Sequence, residues 1–98
     1  MNVYQNRDRG NRPPADIQEN VLMIIRREET DRYRFDLRVV EYIVNGGAKA
    51  PKIERLQFER EDRDSDSWTR KKKVGLTFAD AQAIVDRWPE IKSHWLGK

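Results

Sequence analysis

The chain is 98 residues long, with 37% apolar and 38% charged residues, which limits it to one domain with a modest core built from a few well-patterned segments. It has no cysteine, which excludes a disulfide framework and thiolate metal or redox chemistry and fits a reducing cytoplasm. Twenty Lys and Arg against 17 Asp and Glu leave a net charge of +3 and a pI of about 9.4, values that admit a nucleic-acid partner without requiring one.

Residues 1–16, "MNVYQNRDRGNRPPAD", carry three arginines and a Pro-Pro pair and offer little to bury. They read as a disordered basic-polar tail ahead of a single domain over 17–98. The stretch has no apolar region of a secretory signal, and no run in the chain approaches the roughly 20 residues of a membrane span. The expectation is an intracellular protein, in the cytoplasm or on the nucleoid, with no membrane partner.

"NVLMIIRREE", 20–29, is a short apolar run without helical spacing, read as a strand buried on both faces or paired across a subunit boundary. A turn at "ETDR" leads into "RYRFDLRVV", where Tyr33, Phe35, Leu37 and Val39 alternate with Arg34, Asp36 and Arg38, the pattern of a strand with one face in the core. The alternation slips at Val39-Val40, which predicts a bulge there. "NGG", 45–47, signals a tight turn. "KIERLQFERE", 52–61, reads as a third strand with Leu56 and Phe58 inward and Arg55 and Gln57 outward, and "WTRKKKVGL", 68–76, as a fourth.

Thr77 and Asp80 have the spacing of a capping box. Phe78, Ala81, Ile84, Val85 and Trp88 then form one apolar stripe, predicted to face the sheet. Pro89 ends this helix or begins a second short one, "PEIKSHWLG". The predicted fold is α+β: a four-stranded antiparallel curved sheet followed by a C-terminal helix packed on one face.

On that plan the second sheet face stays open, and strand parity assigns Arg34, Arg38, Arg55, Lys71 and Lys73 to it, with Arg70 and Lys72 at its rim. Trp68 is either a plug at the sheet edge or a stacking surface beside the cations, and Tyr42 poses the same alternative. Cations that track phosphates beside rings that stack on bases suit single-stranded nucleic acid. The predicted helix exposes Asp80, Gln82, Asp86 and Arg87, unlike the Arg- and Asn-rich helix of a duplex reader. The competing reading of the cations is a solvated, aggregation-resistant strand surface. The acid-rich run Glu59–Asp66 is a solvated loop or a negative flap competing for the lysines.

No catalytic constellation is visible. His94 is the only histidine and lacks a second metal ligand at helical spacing. The acidic run lacks the glycine and closing glutamate of a calcium loop, and "NGG" is a hairpin turn rather than a phosphate cradle. The expectation is a non-enzyme without metal, cofactor or small-molecule substrate.

The order of elements and the junction "KKKVGLTFADAQAIVD" resemble the Positive Cofactor Four family of transcriptional coactivators, and "FDLRVVEYIVNGG" is similar to that family's second strand. The Pur-alpha repeat family has a similar plan of four strands and a helix. The resemblance covers about residues 20–90. It implies a homodimer whose sheets bind single-stranded or melted DNA, or RNA, with the basic strand mapping to Arg70–Lys73 and the exposed second-strand arginine to Arg38. The functional expectation is single-stranded nucleic-acid binding, DNA ahead of RNA, in a transcription-regulating role, through Arg34, Arg38, Arg55, Trp68, Arg70, Lys71, Lys72 and Lys73. The alternative is a homodimeric interaction module without nucleic acid, using "VLMII" and "WPEIKSHWL" as its interface.

Overall fold

A computed structural model describes residues 16–96 of the chain. The predicted tail lies outside the described residues, except for Asp16. The elements are β1 (Ile17–Glu29), β2 (Tyr33–Val44), β3 (Gly47–Ala48), β4 (Lys52–Glu59), β5 (Thr69–Val74), α1 (Phe78–Asp86) and α2 (Trp88–Leu96). The α+β class and antiparallel sheet match the sequence reading, but there are five strands and two helices rather than four and one. The order is β1-β2-β4-β5, with β3 pairing β2.

The added strand has a local cause with a large consequence. Asn45 and Gly46 take positive φ in the turn that starts β3, the conformation an Asn-Gly hairpin turn demands. β3 then pairs Ile43 with Ala48, whereas β4 pairs Val40 with Lys52 and Val39 with Ile53. One extra residue is therefore inserted around Lys49–Pro51. A one-residue slip turns every following side chain to the opposite face. The β2–β3 register carried on unbroken would set Phe35 opposite Leu56; the observed partner is Gln57, and Leu37 sits opposite Arg55.

The bulge predicted at Val39-Val40 is in β1 instead, where the register with β2 shifts between Val21 and Met23 and again between Ile24 and Arg26. Val39 and Val40 are both fully buried because β2 is central and covered on both faces. On one face Ile25, Leu37, Val39 and Ile91 form the core, with Leu22, Met23, Ile53, Ala83, Ile84 and Trp95 packed against it. Fully burying a side chain such as Leu37 or Ile91 contributes about 1.5–3 kcal/mol. From "VLMII" and "WPEIKSHWL", Leu22, Met23, Ile25, Ile91 and Trp95 thus pack together within one chain, while Val21, Trp88 and Leu96 stay exposed.

The sheet is open and curled. Arg70 of β5 reaches Glu19 of β1, although a flat sheet would hold strands three places apart at about 14 Å. The curl encloses the concave face enough to bury Val40 and Leu56 without a covering helix.

Thr77 caps α1 as its sequence implies: its hydroxyl accepts from the Asp80 amide at 3.1 Å, and the Asp80 carboxylate accepts from the Thr77 amide at 2.8 Å. Pro89 falls in the first turn of α2, where its missing N–H has no intrahelical role. Among the described residues no helix is long and apolar enough to cross a membrane.

Candidate nucleic-acid interface

The slipped register separates the cations that parity had grouped. Arg38 pairs with Glu54 and Arg34 with Phe58 on the concave face, while Arg55 lies beside Leu37 on the helix-covered face. There Arg55 is 2.8 Å from Asp80 and 3.1 Å from Glu28, its guanidinium donates to the Gly75 carbonyl, and its head lies over the Phe35 ring. Arg26 approaches the same Asp80 at 2.9 Å. Burial alone would push the Asp80 carboxyl up, but the Thr77 hydrogen bonds and Arg26, with the Arg55 charge, hold it below the usual range. Arg55 is therefore a structural clamp between β4 and the start of α1.

The concave face is a ladder of matched charges. Asp36 takes Arg27 in a bidentate pair at 2.7 and 3.0 Å and has Arg34 at 3.2 Å. Arg38, with only 6% of its side chain exposed, lies 3.0 Å from Glu19 and 3.6 Å from Glu54. Its Nε and Nη2 make no hydrogen bond. Glu54 accepts from the Tyr42 hydroxyl at 2.7 Å and lies 3.0 Å from Lys73. Burial favours the neutral acid at Glu54, yet these partners and the Arg38 charge depress its pKa. Burial and the Glu54 carboxylate together raise that of Tyr42.

Both rings have cations near them. Trp68 has the Arg60 guanidinium 4.3 Å from its centroid and that of Arg34 at 5.3 Å, and Arg34 also lies over Phe58 at 4.3 Å. Arg60 is fixed in place by donating to the carbonyls of Asp31 and Ser65. Trp68 is half-buried in this aromatic–guanidinium stack. The Tyr42 ring has Lys52 above it at 5.9 Å.

What stays open is the strand edge. Thr69 to Lys73 are all exposed along β5, the last strand of the sheet. A register shift between Gln57 and Phe58 leaves Lys71 as the unpaired bulge residue, so Arg70 and Lys72 diverge to opposite faces. Arg70 contacts Glu19, and Lys73 meets Glu54 while keeping 62% of its side chain exposed. Among the described residues Lys71 and Lys72 pair with no carboxylate, and the acidic loop at 61–66 forms no ion pair with them. At the far end of β5 a cleft of ≈ 340 Å³ carries Lys52 and Lys73 on its walls. Parity reasoning missed Lys52, since only the slipped register turns it to the concave side.

No family model, curated protein or solved structure matches this chain. The functional reading rests on its own residues.

Proposed function

We propose that this protein binds single-stranded nucleic acid, DNA ahead of RNA, along the edge strand β5 rather than across the open face of the sheet. The observation that carries the proposal is the row Arg70–Lys73: four consecutive cations, all exposed, on an edge strand, two of them without an acidic partner among the described residues. A free edge leaves room for an extended polymer to run beside it, and the bulge at Lys71 spreads the cations over both sides of that edge. Phosphates displace solvent and counterions from Lys71 and Lys72 and share Lys73 and Arg70 with their carboxylates. Affinity comes from charge neutralisation with little base readout, because the nearby rings are already stacked on arginines. Arg34, Arg38 and Arg55 serve the fold that presents the strand. A transcription-regulating role is the process this activity would serve.

The test is fluorescence anisotropy of labelled single-stranded and duplex oligonucleotides at several salt concentrations. Two to four phosphate contacts give a log–log salt slope of about −1.4 to −2.8 for a single strand. Lys71→Glu with Lys72→Glu is expected to abolish binding while leaving the unfolding midpoint unchanged. Binding that ignores salt, or that survives the double charge reversal, would refute the proposal.

A further inference from the structure

Helix α1 is inside out. Its sheet-facing side holds Asp80 and Arg87 beside Ala83 and Ile84: Asp80 reaches Arg26 and Arg55, and Arg87 donates to the Ile24 and Ile25 carbonyls at 3.1 and 2.8 Å. The side turned away from the sheet carries Phe78, Ala81 and Val85, three and seven residues apart. Phe78 is 85% exposed and Val85 68%, and Leu76 and Trp88 extend the ridge at either end. A surface helix ordinarily places these classes the other way round.

We propose that this ridge is the surface on which a second copy of the chain docks, α1 against α1 across a two-fold axis. The four large side chains offer roughly 450 Å² of apolar surface, near the top of what a monomer's largest patch presents. Two copies would bury about twice that, and with a polar rim the total passes the roughly 1,000 Å² that marks a specific interface. A two-fold pairing sets like against like, so the central residues must carry no charge. Phe78, Ala81, Gln82 and Val85 carry none. A partner of opposite charge would need a charged face here, and a polyanion would need cations.

The other routes to self-assembly are blunted. Arg87 occupies carbonyls of β1, whose two bulges break its regularity, and lysines line the β5 edge. The inference stands on this apolar ridge and does not depend on the nucleic-acid reading.

The test is sedimentation equilibrium of the full chain over about 1–200 μM, the range in which an interface of this size reports. The mass is expected to approach that of two chains at high concentration and to fall toward 11.7 kDa on dilution. Val85→Asp is expected to weaken association at least about tenfold with an unchanged circular dichroism spectrum, since the side chain is exposed in the single chain. The chain lacks cysteine, so Ala81→Cys, exposed at the middle of α1 and next to the two-fold axis, supplies an independent readout: mild oxidation should cross-link it far faster than Lys92→Cys on α2. An 11.7 kDa species at every concentration overturns the inference. So does a dimer that tolerates Val85→Asp, or cross-linking no faster at Ala81→Cys than at the control, which decides the matter even if Val85→Asp fails to fold.

Discussion

Replacing Asp80 by alanine is the most searching test of how the helix is held to the sheet. The carboxylate is fully buried and does three things: it accepts the Thr77 amide at 2.8 Å, meets Arg55 at 2.8 Å and meets Arg26 at 2.9 Å. Removing one partner of a buried ion pair costs about 3–5 kcal/mol, because the other charge is left without compensation. Losing half a capping box costs a further 0.5–2 kcal/mol or so. These losses overlap, and Glu28 remains 3.1 Å from both arginines, which offsets part of them. A net loss of about 3 kcal/mol follows, or about 12–24 °C in Tm for a domain of this length. Urea unfolding should show a lower midpoint at constant slope. Arg55→Ala should be less than additive with Asp80→Ala, with a coupling of at least about 1 kcal/mol. A loss below about 1 kcal/mol for Asp80→Ala, or strict additivity in the cycle, would mean that α1 is held by Ala83 and Ile84 and not by the charge clamp.

Other outcomes follow from the same network. The Asp80 and Glu54 carboxyls titrate below their ordinary values in the folded chain, so the unfolded chain binds more protons in acid. Their stabilisation is full above roughly pH 4.5 and is lost as pH falls through the folded pKa values; urea midpoints against pH should show this, and Asp80→Asn should flatten the profile. Tyr42 has the opposite sign: its raised pKa contributes stability below about pH 10 that is lost at higher pH, visible as late phenolate absorbance. Tyr42→Phe leaves Glu54 short of a donor and should cost about 1–2 kcal/mol by urea unfolding. Arg87→Ala frees the Ile24 and Ile25 carbonyls at the β1 edge; it should cost about 1–2 kcal/mol and raise light scattering on heating.

Local signals were legible in the sequence. The alternation from Tyr33 to Val39, the Asn-Gly turn, the Thr77–Asp80 capping box and the basic run before the helix each rest on residues a few positions apart, where dihedral preference and short-range hydrogen bonding decide the outcome. They led to an antiparallel sheet with C-terminal helix and to Arg70–Lys73 as the exposed basic strand. The grouping of Arg34, Arg38 and Arg55 on one face was not legible, because parity carries from strand to strand only through the register. One extra residue at Lys49–Pro51 inverted β4, and no propensity at those positions announces which strand absorbs a bulge.

The facing of α1 shows the same division. Its existence and limits follow from the cap and the apolar spacing, and those belong to the sequence. Which side meets the sheet is a tertiary outcome: once Arg55 is turned beneath the helix and Arg26 lies beside it, a buried carboxylate is required there, and Asp80 is the residue that can supply it. Two partly buried guanidinium groups left with Glu28 alone would cost more than an exposed Phe78 and Val85. The helix therefore turns its charged side inward and its apolar ridge outward.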